Sequence, residues 1–166
     1  MLISLERQLR AAVVVLSDSR AAGMAVDESG PLVKHRLEDL GITVTELVVL
    51  PDDPESLRDL LVQYADTQGL DLIVTSGGTG LGPRDAVPEV TRALIEREIP
   101  GVAEAMRAYG QKRTRLAMLS RAVTGVRGKT LILNLPGSPK GVTESLDAVM
   151  PELLHVFKMM EGKGHP

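Results

Sequence analysis

One segment of the chain combines glycines with charged and hydroxylated side chains, as phosphate sites do. The segment Thr75–Pro88 reads TSGGTGLGPRDAVP and contains four glycines, one arginine and one aspartate. Glycines expose backbone N–H groups that a negatively charged ligand can approach closely. Their spacing matches neither the P-loop nor the dinucleotide fingerprint. The glycines alone indicate a plain turn as readily as a phosphate site, so the phosphate interpretation depends on Thr79, Arg84 and Asp85.

Three aspartates are positioned in the sequence to act on a bound phosphate. Asp85 lies in the glycine segment, and Asp52 and Asp18 each follow a predicted strand. For a single aspartate, capping a nearby helix is the commoner role. Two carboxylates beside phosphates would instead hold Mg²⁺, because its oxygen shell often combines one or two carboxylates with substrate phosphates. Both roles stay open for Asp52 and Asp85, with Asp18 as a further candidate.

The other reactive side chains indicate electrostatic rather than nucleophilic chemistry. Arg84 and Lys140 are candidates to neutralise charge on a transferring phosphoryl group, since both lie in short predicted loops. The absence of cysteine excludes disulfides and thiolate catalysis. His35, His155 and His165 are scattered along the sequence, so no Ser-His-Asp arrangement is predicted.

Apolar runs alternate with helical patterns along the chain. A continuous β-branched run predicts a strand buried on both faces at Ala11–Leu16. Further strands are predicted at Thr43–Leu50, Leu72–Thr75 and Thr130–Leu133. Helical spacing predicts helices at Pro31–Leu40 (cap Ser29), Pro54–Gln68 (cap Asp53), Pro88–Arg97, Val102–Gln111 and from Pro139 (cap Ser138), the last split by Pro151. The alternation predicts an α/β fold with a mostly parallel sheet covered on both faces.

Four loops are expected to converge at one edge of this sheet. Right-handed crossovers bring the carboxyl ends of parallel strands together, and ligands bind there in such folds. The loops are Ser17–Gly30, Pro51–Asp53, Ser76–Pro88 and Asn134–Gly141. Their convergence would gather the aspartates, the glycines and both cations into one site.

Composition excludes several classes of protein. A chain of 166 residues is expected to form one domain over residues 1–166. A net charge of -3, with two tyrosines and one phenylalanine as the aromatic residues, argues against nucleic-acid binding. No apolar run approaches the ~20 residues that span a bilayer, and Met1–Arg10 is too charged for a signal peptide. We therefore expect a cytoplasmic protein that binds neither membranes nor nucleic acid.

Three motifs, in order, resemble a known family. SDSR at 17–20, TSGGTGLGPRD at 75–85 and NLPGSPKG at 134–141 are similar to the motifs of the Mog/MoaB family of molybdenum cofactor biosynthesis, whose domain also occurs in gephyrin. The resemblance implies a MogA/MoaB-like three-layer α/β sandwich, a homotrimer and binding of molybdopterin. It also implies a molybdopterin adenylyltransferase, which converts molybdopterin and Mg-ATP into adenylyl-molybdopterin and pyrophosphate for hand-over to the molybdate-inserting enzyme.

The resemblance also implies roles for particular residues. Asp52 and Asp85 would be the catalytic residues and the Mg²⁺ ligands. The substrate- and nucleotide-binding residues would be Ser17, Asp18, Ser76, Gly77, Gly78, Thr79, Gly80, Arg84, Asn134, Pro136, Gly137, Ser138 and Lys140. The glycines Gly77–Gly80 would contact phosphates, and the segment Asn134–Lys140 would line the nucleotide pocket. SDSR departs from the commoner SDR, which leaves the register of Arg20 open.

Two alternatives to an active enzyme remain at this point. Some MoaB-type proteins bind the pterin as silent scaffolds and pass it to a partner, and competence-damage-inducible proteins carry a related domain in longer chains. The intact Arg84–Asp85 pair and Asn134–Gly137 segment favour the enzyme. Apolar residues on the helix Val102–Met106 fit a subunit interface or the protein's own core equally well.

Overall fold

The computed structural model describes residues 7–163, with a six-stranded sheet at its centre. The strands are β1 (Arg10–Leu16), β2 (Thr43–Leu50), β3 (Leu72–Ser76), β4 (Arg97–Glu98), β5 (Thr124–Arg127) and β6 (Thr130–Leu135). They lie in the order β2-β1-β3-β6-β5-β4. The first four are parallel, whereas β5 and β4 pair antiparallel. The mostly parallel sheet expected from the sequence is confirmed.

Helices cover both faces of the sheet. The α-helices are α1 (Asp18–Ala21), α2 (Ser29–Asp39), α3 (Pro54–Val62), α4 (Val87–Leu94), α5 (Pro100–Gln111), α6 (Pro139–Val149) and α7 (His155–Met160). A π-helical turn (Gln63–Thr67) continues α3, and 3₁₀ turns lie at Arg115–Leu119 and Glu152–Leu154. Helices α2, α5, α6 and α7 pack on one face, and α3 and α4 pack on the other. The three-layer architecture is therefore also confirmed.

Successive residues of the central strands belong to different cores. Val13 of β1 packs with Val33 and Leu37 of α2, whereas Val14 packs with Leu57 of α3. Side chains of a strand alternate between the two faces of a sheet. A continuous apolar run such as β1 must therefore be covered on both faces, and its valines are fully buried.

The structure confirms the predicted helix caps at Asp53 and Ser138. The Asp53 carboxylate accepts a hydrogen bond from the amide of Ser56 at 3.0 Å, and the Ser138 hydroxyl accepts one from Gly141 at 3.0 Å. The split at Pro151 is confirmed as well, because α6 ends at Val149 and helical structure resumes at Glu152.

Two predicted elements are wrong. The segment 17–30 is not a plain loop, since it contains α1 and the start of α2. Ser29 does not cap α2 because it is the helix's first residue, and Asp27 accepts the bond from the amide of Gly30 at 3.0 Å instead. Helix α4 ends at Leu94 rather than Arg97, because Arg97 pairs with Val126 across β4 and β5.

Two expectations concern the ends of the chain, namely that Met1–Arg10 is no signal peptide and that His165 belongs to no catalytic arrangement. The segment Met1–Glu6 and His165 lie outside the described residues. Within residues 7–163, no helix is long and apolar enough to cross a membrane.

Candidate active site

The carboxyl ends of the four parallel strands lie at one edge of the sheet. Leu16 at the end of β1 is paired with Leu50 at the end of β2, and Ser76 at the end of β3 is paired with Leu135 of β6. The loops that follow these strands therefore emerge side by side, as the sequence predicts.

Two of the predicted aspartates are in direct contact at this edge. The amide of Asp52 donates to Asp18 Oδ1 at 2.9 Å, and the amide of Asp18 donates to Asp52 Oδ2 at 3.1 Å. Arg84 joins them from the glycine segment, donating from Nε and Nη2 to the two Asp18 oxygens at 2.6 and 3.0 Å. The loops after β1, β2 and β3 are thus linked through three charged side chains.

These contacts act in opposite directions on the two carboxyl groups. The hydrogen bonds from Arg84 hold the pKa of Asp18 below its usual range. Burial raises the pKa of Asp52, and the nearby charges of Asp18 and Asp85 raise it further, although the amide bond from Asp18 opposes them. Arg84 therefore compensates Asp18 through direct hydrogen bonds, whereas its charge is the last of the effects on Asp52, where burial dominates.

The glycine segment packs too closely for side chains at its first two glycines. Gly77 has φ +100°, and a Cβ there would lie 2.4 Å from the carbonyl oxygen of Leu16. Gly78 has φ +69°, and its Cβ would lie 2.4 Å from a methyl group of Val87. A residue with a side chain would be strained at both positions, so this backbone path requires glycine.

The amides of this segment differ in their availability to a ligand. Gly77 N–H donates to Leu135 O at 3.0 Å and is therefore occupied by the neighbouring strand. In the described part of the chain, the amides of Gly78, Thr79 and Gly80 donate to no protein acceptor. These three consecutive unbonded amides are candidate donors to an anion.

The Asp85 carboxylate is held by the same segment. Its Oδ2 accepts from the amide of Gly82 at 2.9 Å, and a Cβ at Gly80 or Gly82 would lie 2.9 Å from that oxygen. Asp85 does not cap α4, because that helix begins after Ala86 without a side-chain bond. The alternative role as a helix cap is therefore wrong for Asp85, and its carboxylate is held in place by the backbone of its own loop.

The loop after β6 lies against the glycine segment. Ser76 Oγ donates to Pro136 O at 2.9 Å, and a Cβ at Gly137 would lie 3.3 Å from the Cα of Gly77. Ser29 Oγ donates to Gly137 O at 2.7 Å, and Arg20 also donates to that oxygen. Pro136 and Gly137 are thereby fixed beside the glycines.

Three predicted binding residues are buried instead of facing this surface. Asn134 and Ser76 are 0% exposed and Thr79 is 6% exposed. The Asn134 side chain donates to Thr75 Oγ1 and Thr91 Oγ1, both at 3.0 Å, and accepts from the amide of Val123 at 3.1 Å. Its polar atoms are occupied because the side chain points into the protein, so it joins structural elements instead of offering a group to a nucleotide.

Gly77 is buried as well, whereas Ser17 and Lys140 are at the surface. Ser17 caps α1 by accepting from the amide of Arg20 at 3.3 Å, next to the Asp18–Asp52 pair. The Lys140 side chain is 78% exposed, and its Nζ lies 4.0 Å from Glu144. Lys140 is therefore largely exposed in the first turn of α6, which begins directly after the loop that follows β6.

A cavity of about 210 Å³ adjoins the loop after β6. Pro136, Ser138, Ser120 and Arg107 contribute to its wall, together with apolar residues of α5 such as Met106. A larger hollow, about 530 Å³, lies beside Asp71 and Lys129 at the opposite edge of the sheet, away from the convergent loops. Of these two cavities, only the smaller one adjoins a loop of the candidate site.

Sequence reasoning missed Arg121. Its backbone amide donates to Thr79 O at 3.0 Å, and its side chain donates to Gly80 O and Asp85 O, both at 2.9 Å. No glycine-rich pattern or strand end marks this arginine in the sequence. Only the tertiary fold brings it to the glycine segment.

Known proteins resemble this chain over most of its length. Residues 12–155 match the family described as "Probable molybdopterin binding domain". The chain belongs to this family. Its fold matches MoaB of Thermus thermophilus with a TM-score of 0.86, at 47% identity over 94% of this chain and 98% of that one.

Curated relatives of the family carry names from molybdenum cofactor synthesis. A "Molybdopterin adenylyltransferase" of Helicobacter pylori is 34% identical over 90% of this chain and 86% of its own length. A "Molybdenum cofactor biosynthesis bifunctional protein" of Chlorobaculum tepidum is 40% identical over 94% of this chain. The chain spans only 50% of that bifunctional protein. The resemblance to the Mog/MoaB family is confirmed.

Proposed function

We propose that this chain is a molybdopterin adenylyltransferase, acting in the cytoplasm in molybdenum cofactor synthesis. One observation carries the proposal: three unbonded amides at Gly78–Gly80 lie on the same loop as Asp85 and beside Asp52. A site of this kind suits a reaction between two phosphates. Membership of the molybdopterin-binding family supports molybdopterin as one phosphate-bearing substrate, and the adenylyltransferase names of relatives support ATP as the other.

The proposed reaction needs little proton chemistry. An oxygen of the terminal phosphate of molybdopterin forms a bond to the α-phosphorus of ATP, and the bond from that phosphorus to the α–β bridging oxygen breaks. Pyrophosphate leaves with the electron pair. Because the attacking phosphate is already ionised, no strong general base is required. The described residues around the loop supply no histidine for that purpose, which agrees with this requirement.

The main difficulty is to bring two anions together. The amides of Gly78–Gly80 would bind phosphate oxygens, and Lys140 would add a mobile positive charge. The cavity beside Pro136 and Ser138 would take the nucleotide, as the resemblance implies for the segment that contains them. Binding both substrates at fixed positions turns a bimolecular step into one within a single complex.

The residues at the site fit a magnesium ion that arrives with the nucleotide. In residues 7–163, no three His, Cys, Asp or Glu side chains form a metal cluster. Mg²⁺ is commonly bound through one or two carboxylates plus substrate phosphates, so Asp52 and Asp85 suffice as its protein ligands. Burial, with the nearby charges of Asp18 and Asp85, raises the pKa of Asp52, so a cation there would favour its ionised form. When bound, the ion would neutralise charge on the phosphates.

The test is incubation with molybdopterin and Mg-ATP, with detection of adenylyl-molybdopterin and pyrophosphate. We expect Asp85→Asn to keep pterin binding and lower adenylylation roughly 100-fold, the scale of a lost electrostatic contact. Asp52→Asn should behave similarly and require more Mg²⁺. Near-normal turnover of the Asp85 variant would contradict its assignment. Pterin binding without pyrophosphate release by the wild type would favour the silent scaffold.

The assembly also belongs to this proposal. In the expected helix Val102–Met106, Met106 is buried in the protein's own core, so that residue does not supply a subunit interface. Leu116 and Met118 in the 3₁₀ turn are instead 70% and 64% exposed. We place a homotrimer contact on this turn, and Met118→Glu should reduce the mass measured by light scattering. Release of the product to the molybdate-inserting enzyme would follow.

A further inference from the structure

The side chain of Arg121 joins both ends of the loop that carries the candidate chemistry. Arg121 Nε donates to Gly80 O and Nη2 donates to Asp85 O, both at 2.9 Å, while Nη1 contacts the Glu89 carboxylate. The three acceptors lie in different directions around one planar group. The guanidinium therefore uses its fork geometry, which a lysine ammonium does not reproduce.

The Asp85 carboxylate depends on the part of the loop that Arg121 closes. Its Oδ2 contacts the amide of Gly82 and is packed against Gly80 and Gly82 so closely that neither accepts a Cβ without a shift. Arg121 holds the carbonyl groups at residues 80 and 85, the two ends of this turn. A change in the Arg121 contacts would therefore move the Asp85 carboxylate and the amide of Gly80 together.

The backbone beside Arg121 faces the nucleotide side of the site. Ser120 and Ala122 line the cavity next to Pro136, and Arg107 donates from Nη1 to both of their carbonyl groups, at 3.2 and 3.4 Å. The segment 120–122 is thus fixed on the cavity side by Arg107 and on the loop side by Arg121. A single short segment sets the distance between the cavity and the loop.

We propose that Arg121 is a positioning residue, which sets the place of the Asp85 carboxylate and the Gly78–Gly80 amides relative to the nucleotide cavity. It acts through the loop backbone, so its loss should lower the rate of the chemical step more than the affinity for ATP. Displacements of the order of 1 Å can cost about 100-fold in rate. For Arg121→Lys we expect kcat to fall roughly 10- to 100-fold, with KM for ATP changed less than threefold, roughly the effect of one weak contact.

Arg127 offers a matched control. It donates to a backbone carbonyl, Leu94 O at 2.9 Å, and forms a two-bond ion pair with Asp66. Its side chain is 26% exposed, against 28% for Arg121. Arg127→Lys therefore disturbs the same kinds of contact away from the glycine segment, and we expect its kcat to remain within about twofold of the wild type, as usual for a surface substitution.

A second measurement does not depend on activity. The amides of Gly82 and Asp85 are hydrogen-bonded within the turn, at 2.9 and 3.1 Å, and report its opening by hydrogen exchange. Arg121→Lys should speed exchange in a peptide covering residues 77–85 about tenfold or more, the effect of roughly 1.4 kcal/mol on local opening, and Arg127→Lys should leave it unchanged.

The kinetic test rests on the proposed adenylyltransferase activity, whereas the exchange test does not. If the wild type releases no pyrophosphate, the proposed function fails, and the exchange rates alone decide whether Arg121 orders the loop. Equal losses of kcat in both variants would overturn the inference. So would exchange in residues 77–85 that is unchanged by Arg121→Lys.

Discussion

Replacing Asn134 by alanine separates its two possible roles. The resemblance assigns Asn134 to the nucleotide pocket, but the structure buries it fully between Thr75, Thr91 and the amide of Val123. A structural role predicts a loss of stability with little change in ATP affinity. A binding role predicts the reverse.

The size of the stability loss follows from the three hydrogen bonds. Asn134→Ala leaves the buried Val123 N–H without its side-chain acceptor, which costs about 1–3 kcal/mol. The two threonine hydroxyls each lose a donor, at about 1 kcal/mol each, since a hydroxyl can rotate towards another partner. The free energy of unfolding should fall by about 3–5 kcal/mol. For a domain of this size that lowers Tm by roughly 6–20 °C.

Calorimetry measures this change, and Thr91→Val provides a graded control. That variant removes one of the three bonds and should lower the free energy of unfolding by about 1–2 kcal/mol. The KM for ATP, measured well below both melting temperatures, should be unchanged in Asn134→Ala. A Tm close to that of the wild type, together with a KM raised about tenfold or 1.4 kcal/mol, would refute the structural role.

Two further predictions concern backbone and charge. Gly77→Ala should destabilise the protein by about 3 kcal/mol or more, because a positive φ combines there with a contact to Leu16 O. Gly41→Ala should cost only about 1–2 kcal/mol, because Gly41 has φ +81° but open space around it. Equal losses of stability in thermal unfolding would contradict the steric argument. Arg121 holds the pKa of Glu89 below its usual range, so the ion pair stabilises the fold above the ordinary glutamate pKa. This stabilisation is lost as the pH falls through the lower pKa of the folded state. Glu89→Gln should therefore lower Tm by more at pH 7 than at about pH 3, and an equal fall in Tm at both would argue against an ionic contribution.

The sequence predicted the sheet well because its signals are local. The run AAVVVL in β1 is apolar on both faces, and Asp53 and Ser138 lie directly before prolines that can begin a helix. Arg97 was misassigned because the helical spacing before it continues in the sequence, while its pairing with Val126 depends on a strand that follows much later. Long-range partners of this kind leave no trace in local periodicity.

The candidate site was predictable in its glycines and aspartates but not in its contacts. A glycine-rich segment after a buried strand is a local pattern, so the place of Gly77 and Asp85 at the end of β3 could be predicted. Whether a polar residue of a motif faces the ligand or the core depends on packing, and therefore the burial of the Asn134 side chain could not be predicted. Arg121 was missed for the same reason, since all of its contacts join segments more than 30 residues apart.

The position of Arg84 limits where positive charge for the phosphates can originate. If Arg84 turned its whole guanidinium fork towards a phosphate, both of its contacts to Asp18 would break. Asp18 would then be an uncompensated charge next to Asp52, whose pKa is already raised by burial and by Asp18 itself. Moving Arg84 would therefore remove from the carboxylates the positive charge that it brings to the substrate. The unbonded amides of Gly78–Gly80 and the exposed Lys140 carry no such cost, and we expect Arg84→Gln to disturb the Asp18–Asp52 contact before it weakens phosphate binding.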